Sequence, residues 1–163
     1  MIQTQTSAGI IIYRQTIEGP KFLLLYHGHN YWNFPKGKME GTERIIQTAL
    51  REVQEETGLK NSEIKLKKNF KTKERFSFKD KINKDKIFKV VTFYLAETKQ
   101  PVIKISKEHQ GYGWFLYSEA KRILNRYKNT QDIITKAFNI IKKEDKNIFP
   151  PQKPFIQNKK FIT

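Results

Sequence analysis

Two short apolar runs open the chain, Ala8–Tyr13 (AGIIIY) and Lys21–Tyr26 (KFLLLY). Both are rich in β-branched or bulky residues and too short for ordinary helices. The turn-prone Glu18-Gly19-Pro20 lies between them, so they are expected as two buried strands. His27–Lys38 (HGHNYWNFPKGK) has no period and many Gly, Asn and aromatic residues, the composition of a loop. From Thr42 to Thr57 the pattern changes: Ile45, Ile46, Ala49, Leu50 and Val53 recur at helical spacing, and Gly58 suits the left-handed position that ends a helix. Ile64–Phe78 and Ile87–Glu97 follow as two longer strands around a polar loop, Lys79–Lys86. Gly113–Leu116 is a short strand. Ser118, with Glu119 and Ala120 behind it, has the pattern of an N-cap. A last helix is expected over Thr130–Lys142, with Ile133, Ile134, Phe138 and Ile141 on its apolar face. Strands on both sides of a central helix, with further helices at the end, give an α+β arrangement.

The length of 163 residues fits one domain, expected over 1–142. A basic tail over 143–163 follows, expected to be irregular because of Pro150, Pro151 and Pro154, and docked by Phe149, Phe155 and Phe161. There is no internal repeat. With no cysteine, a disulfide framework and a thiolate metal site are excluded. The N-terminus has no basic region followed by a long apolar run, and Ala8–Tyr13 is far too short to span a bilayer. The expectation is a cytoplasmic, monomeric protein without membrane contact.

Charge adds a second feature. The net charge is +16, and Lys60–Lys89 holds 12 basic against four acidic residues, a net of +8 in under a fifth of the chain. Such a field attracts polyanions and raises their encounter rate. A lysine-rich hairpin that is merely solvated is the alternative.

The chemistry concentrates in GKMEGTERIIQTALREVQEETGL, residues 37–59. Glu52, Glu55 and Glu56 stand at i, i+3 and i+4, on one helical face, where like charges repel unless a cation lies among them. A packed helix with such a cluster suits a hard divalent cation with oxygen ligands, Mg²⁺ or Mn²⁺. Gly37, five residues, Glu43, seven residues, then Arg51-Glu52-Val53-x-Glu55-Glu56-x-Gly58-Leu59 resembles the complete Nudix box. At roughly 5–7% usage per residue, seven fixed identities coincide by chance about once in 10⁸ to 10⁹ placements. The resemblance implies an α/β/α sandwich around a mixed β-sheet and hydrolysis of a nucleoside diphosphate linked to another group. It also implies Glu52, Glu55, Glu56 and the backbone carbonyl at Gly37 or Lys38 as metal ligands. Arg51 is expected to orient a glutamate, and Glu43 to be structural, pairing with Arg51 or a lysine.

Three further segments are similar to the asymmetrical diadenosine tetraphosphate hydrolases within that superfamily: YWNFPKGKMEGTE before the box, KVVTFYLAE at Lys89–Glu97, and SKEHQGYGWFLYSEA at Ser106–Ala120. This likeness implies that Lys36 and Lys89 contact polyphosphate, and that Glu108 serves as metal ligand or general base, the base being either Glu108 or a box glutamate. It implies Tyr112 as a nucleobase wall. Tyr31 falls where some members carry a histidine near the phosphates, a role left open between Tyr31, His27 and His29. Trp32, Phe34 and Trp114 are expected in the core, and His109 is expected to be structural. The implied reaction yields ATP and AMP from diadenosine tetraphosphate. Rival readings are an RNA 5′-pyrophosphohydrolase engaging an RNA 5′ end, a diphosphoinositol polyphosphate phosphatase and, from a different class, a non-enzymatic nucleotide- or RNA-binding protein.

Overall fold

The computed structural model describes residues 2–148. The chain begins with β1 (Ile2–Thr16), which is much longer than the apolar run within it. Its polar beginning is held by parallel pairing with β6 (Lys86–Thr98), from Ile2↔Lys86 to Tyr13↔Glu97. The opposite edge of β1 has two partners. Ser7–Gly9 pairs with β4 (Lys36–Lys38), and Tyr13–Thr16 pairs with β2 (Gly19–Tyr26). The sheet therefore opens between β4 and β2. On its other edge, β2 pairs with β7 (Gly111–Leu116), and its end pairs with β3 (Trp32–Asn33). The path through the sheet is β3-β2-β1-β6-β5, with β5 (Ile64–Lys79) antiparallel to β6 at the edge. The sheet is thus mixed, as expected.

Period-two alternation sends neighbours of the central strands to opposite layers. Ile10, Ile12, Leu23 and Leu25 pack with Ala49 and Val53 of α1 (Ile45–Thr57). Ile11, Tyr13, Phe22, Leu24, Val91, Phe93 and Leu95 pack against α2 (Tyr117–Ile123) and α3 (Lys128–Ile148) through Ala120, Ile133, Ile134, Ala137 and Ile141. Unbroken apolar runs are what two-sided burial requires, and the result is an α/β/α sandwich. Phe34 is in this core, with its ring edge-on to Phe93 at 5.6 Å. Trp32 packs edge-on to Phe115 at 5.4 Å, and Trp114 Nε1–H donates to Pro101 O at 2.8 Å.

Several boundaries differ from the sequence expectation. α1 starts at Ile45 rather than Thr42 because Glu43 closes a turn ahead of it, accepting from Glu40 N–H at 3.0 Å. Ser118 is not an N-cap: α2 begins at Tyr117, and Leu116 N–H is satisfied by the Glu119 carboxylate at 2.9 Å. α3 runs to Ile148, past the expected end at Lys142. Its last turns are tied to the sheet by Lys67–Glu144 at 2.6 Å and Gln15–Asp145 at 3.3 Å. Residues 143–148 are therefore helix rather than irregular tail. The prolines and phenylalanines expected to shape that tail lie outside the described residues. No helix among the described residues is long and apolar enough to cross a membrane.

Candidate active site

α1 ends cleanly: Gly58, at φ 73°, donates its N–H to Gln54 O at 2.9 Å. This fixed helix aims its carboxylates at β4, and Arg51 gathers the local charge. Its Nε donates to Glu43 at 2.6 Å, Nη1 to Glu52 at 3.0 Å and Glu55 at 3.1 Å, and Nη2 to Lys38 O at 2.8 Å. One planar guanidinium thus joins the pre-helix turn, the helix and β4. The Glu43–Arg51 pair is among the sequence expectations, and Arg51 with Thr48 and Glu40 N–H holds the Glu43 carboxyl down at about 2.

The alternation of β4 sorts the next layer. Gly37 faces α1, where a Cβ would overlap the Glu52 carboxylate. Glu52 and Glu56 are nearly buried, at 9% and 7% exposure. Burial pushes both carboxyls up, Glu56 to about 7 against a bond from Lys36 N–H at 3.0 Å. Glu55 is exposed and turned to Arg51. Among the described residues no three His, Cys, Asp or Glu side chains are already gathered in metal-binding geometry. The donor set still fits a hard cation, since Glu52 and Glu56 are two desolvated carboxylates against the side-chain-free backbone of Gly37, and such an ion would offset their negative charge.

Beside Glu56 lies His109, expected to be structural. Its Nδ1 is 2.9 Å from Ser106 Oγ and its Nε2 is 3.7 Å from Glu56 Oε1. His27 packs against His109 at 4.6 Å between centroids, and burial lowers it to about 4. His29 is exposed in the left-handed turn at φ 51° and does not line the cleft described next. Glu108 is exposed on the same loop, close enough for its charge to act on Glu56.

Across the sheet from α1, Lys36 projects into a cleft of about 720 Å³. Lys89, Arg126 and Lys128 bring further positive charge there, and Tyr31, Phe76, Phe78 and Tyr127 bring aromatic surface. Lys89 is pulled below the ordinary lysine value by burial and by Lys36 and Lys38. Burial pushes the Glu74 carboxyl up, although Lys36 and Lys89 oppose the shift. Arg126 sits over the Tyr31 ring at 5.3 Å, and Tyr127 meets that ring edge-on at 6.3 Å. A second hollow, of about 600 Å³, runs along the outer face of α1 past Gln47, Gln54 and Asn61, but no aromatic residue lines it.

Lys36, Lys89 and Tyr31 thus meet in one cleft. Tyr112 does not join them. β7 pairs it with Leu25 on the α1 face, where its hydroxyl accepts Ile103 N–H at 3.3 Å. Besides Tyr31, the aromatic surface of this cleft comes from Phe76, Phe78 and Tyr127, which sequence reasoning did not single out. The available signal was the Phe76-x-Phe78 alternation, which places both rings on one face of β5.

Comparison with known proteins agrees with this architecture. The NUDIX domain model matches residues 3–137. An asymmetrical bis(5'-nucleosyl)-tetraphosphatase of Rattus norvegicus is 35% identical over 127 residues, covering 70% of this chain and 80% of the rat protein. That of Sus scrofa is 30% identical over 145 residues, 83% and 94% of the two chains. The crystal structure of a C. elegans Ap4A hydrolase binary complex superposes with a TM-score of 0.74 at 25% identity, covering 85% of this chain and 98% of that one. With the box folded as one helix against β4 and the domain match spanning most of the sandwich, the chain belongs to the Nudix hydrolases.

Proposed function

We propose that this Nudix hydrolase cleaves diadenosine tetraphosphate to ATP and AMP, using Mg²⁺ or Mn²⁺. The observation that carries this reading is the hydrogen bond from Lys36 N–H to Glu56, which joins the carboxylate side of β4 to a cationic, aromatic-walled cleft. The relatives that bear the name bis(5'-nucleosyl)-tetraphosphatase support the same substrate class.

Glu52, Glu55 and Glu56, with backbone at Gly37, would hold the cation. A bound divalent ion screens the phosphate oxygens and lowers the pKa of water. Arg51 keeps the remaining carboxylates in place through Glu43 and Lys38 O. Lys36, Lys89 and Arg126 bind the polyphosphate, whose negative charge offsets the repulsion of Lys89 by Lys36 and Lys38. Phe76 and Tyr127 stack on a nucleobase. Glu108 or a box glutamate takes the proton from the attacking water.

The test is incubation with diadenosine tetraphosphate and Mg²⁺, with products resolved by ion exchange. Equal ATP and AMP is the expected result. Folded protein that leaves the substrate intact with Mg²⁺ and with Mn²⁺ overturns the assignment.

A further inference from the structure

The cleft uses one face of the β5–β6 hairpin; the other face carries a separate charge pattern. After the register shift between Leu66 and Lys71, the pairing is regular: Lys71↔Tyr94, Lys73↔Thr92, Arg75↔Val90, Ser77↔Phe88 and Lys79↔Lys86. Tyr94 packs with the α1-side core and Lys71 Nζ lies 5.7 Å over its ring, so the long side chains of this set face the α1 side, opposite the cleft, while Ser77 borders the cleft. Lys71, Lys73, Arg75, Lys79 and Lys86 are all exposed. No acidic residue shares this set, and none of the five cations makes an ion pair among the described residues. Phe88 lies among them, 38% exposed.

Lysines on an edge strand also discourage edge-to-edge pairing. That purpose does not require Lys71, Lys73, Arg75 and Lys79 on one face with an exposed ring beside them. Same-face residues along a strand recur about every 6.8 Å, a straight ladder of positive charge. A charged ladder that follows a backbone, beside an aromatic on which any base can stack, is the chemistry of sequence-tolerant single-strand binding.

We infer that this face, Lys71, Lys73, Arg75, Lys79 and Lys86 around Phe88, docks single-stranded nucleic acid, with the phosphates on the cations and a base on Phe88. The surface is distinct from the cleft and does not depend on which small substrate the cleft takes.

Fluorescence anisotropy of labelled 20-mer oligo(U) and oligo(dT) against the full chain tests this, with inorganic polyphosphate as a base-free competitor. Both oligonucleotides should bind at low salt, with log affinity falling against log salt at a slope of about −3, about 0.7 for each of four or five phosphates. Binding of one sugar type alone also supports the face and names its natural strand. Lys73→Glu with Arg75→Glu should weaken binding at least about 10-fold and flatten the slope. Lys136→Glu with Lys142→Glu, the same charge change on exposed positions of α3, should weaken it far less. Phe88→Ala should lose about 5-fold or more for the oligonucleotides and nothing for polyphosphate. Thermal unfolding checks each fold, and Lys73→Gln with Arg75→Gln replaces the double reversal if that variant misfolds. Absence of salt-dependent binding, equal loss in the α3 control, or indifference to Phe88→Ala each overturns the inference.

Discussion

Lys36 faces two ways: its backbone N–H donates to Glu56 Oε2 at 3.0 Å, while its side chain lines the cleft. A substitution that keeps the backbone therefore separates the two roles. Lys36→Ala should leave the Glu56 bond in place and remove one phosphate contact, about 1.5–3 kcal/mol for a charged hydrogen bond. The expected result is a kcat/KM lower by about 10- to 150-fold, and Lys89→Ala should behave alike. Steady-state kinetics of both variants check this; unchanged kinetics would remove the cleft from the reaction.

Gly37→Ala addresses the other side of the same strand. A methyl group there would overlap the Glu52 carboxylate, so either β4 or Glu52 must move. A displacement of about 1 Å in a catalytic group lowers rates by about 100-fold. The variant should fold with its core intact and lose most turnover. Activity within a few-fold of the parent would show that Glu52 sits elsewhere during catalysis.

The box was legible in the sequence because its spacing is local: one helix sets i, i+3 and i+4, so Glu52, Glu55 and Glu56 share a face before any tertiary contact is known. Lys36 and Lys89 came only through resemblance, since strand pairing brings them together. Tyr127 and Arg126 were not legible, and Phe76 was legible only as one of an alternating pair on β5. β5 and the loop between α2 and α3 meet at the cleft only when α3 packs on the sheet. Tyr112 stands apart from the cleft for a matter of parity: its register partner Leu25 puts it on the α1 face. The polar first residues of β1 carry no strand pattern of their own; their strand character comes from pairing with β6.

Stability should depend on pH through two carboxylates with opposite signs. Glu56 is raised from 4.5 to about 7 by burial, so between those values the folded chain holds a proton that the unfolded chain has released. Its contribution therefore falls as pH rises across that window. Glu43 is lowered from 4.5 to about 2, so its contribution is present above 4.5 and is lost as pH falls toward 2. Urea unfolding in EDTA at pH 5 and 7.5 should show Glu56→Gln flattening the first trend. Parallel profiles for parent and variant would remove Glu56 as its source.

Arg51→Lys keeps the charge but loses the planar fork that reaches Glu43, Glu52, Glu55 and Lys38 O together. A lysine cannot span those partners. Stability should drop by about 1–3 kcal/mol, read from denaturant midpoints. Turnover should drop further, because Glu52 and Glu43 lose their common anchor. A stable and active Arg51→Lys chain would mean that charge alone suffices.

The aromatic wall makes the sharpest kinetic distinction. If Phe76 and Tyr127 stack on a nucleobase, their loss weakens binding of that base and leaves the phosphates where Lys36 and Lys89 hold them. Base–aromatic stacking contributes about 1–3 kcal/mol per base by alanine substitution. Phe76→Ala and Tyr127→Ala should each raise KM for diadenosine tetraphosphate by about 5- to 150-fold, with kcat little changed. A base-free polyphosphate competitor should inhibit parent and variants equally, because it never touches the wall. Tyr112→Phe is the internal control, since Tyr112 lies on the opposite face of the sheet and loses only its bond to Ile103 N–H. A KM raised by Tyr112→Phe but not by Tyr127→Ala would return the nucleobase to the α1 face and leave the cleft to the phosphates alone.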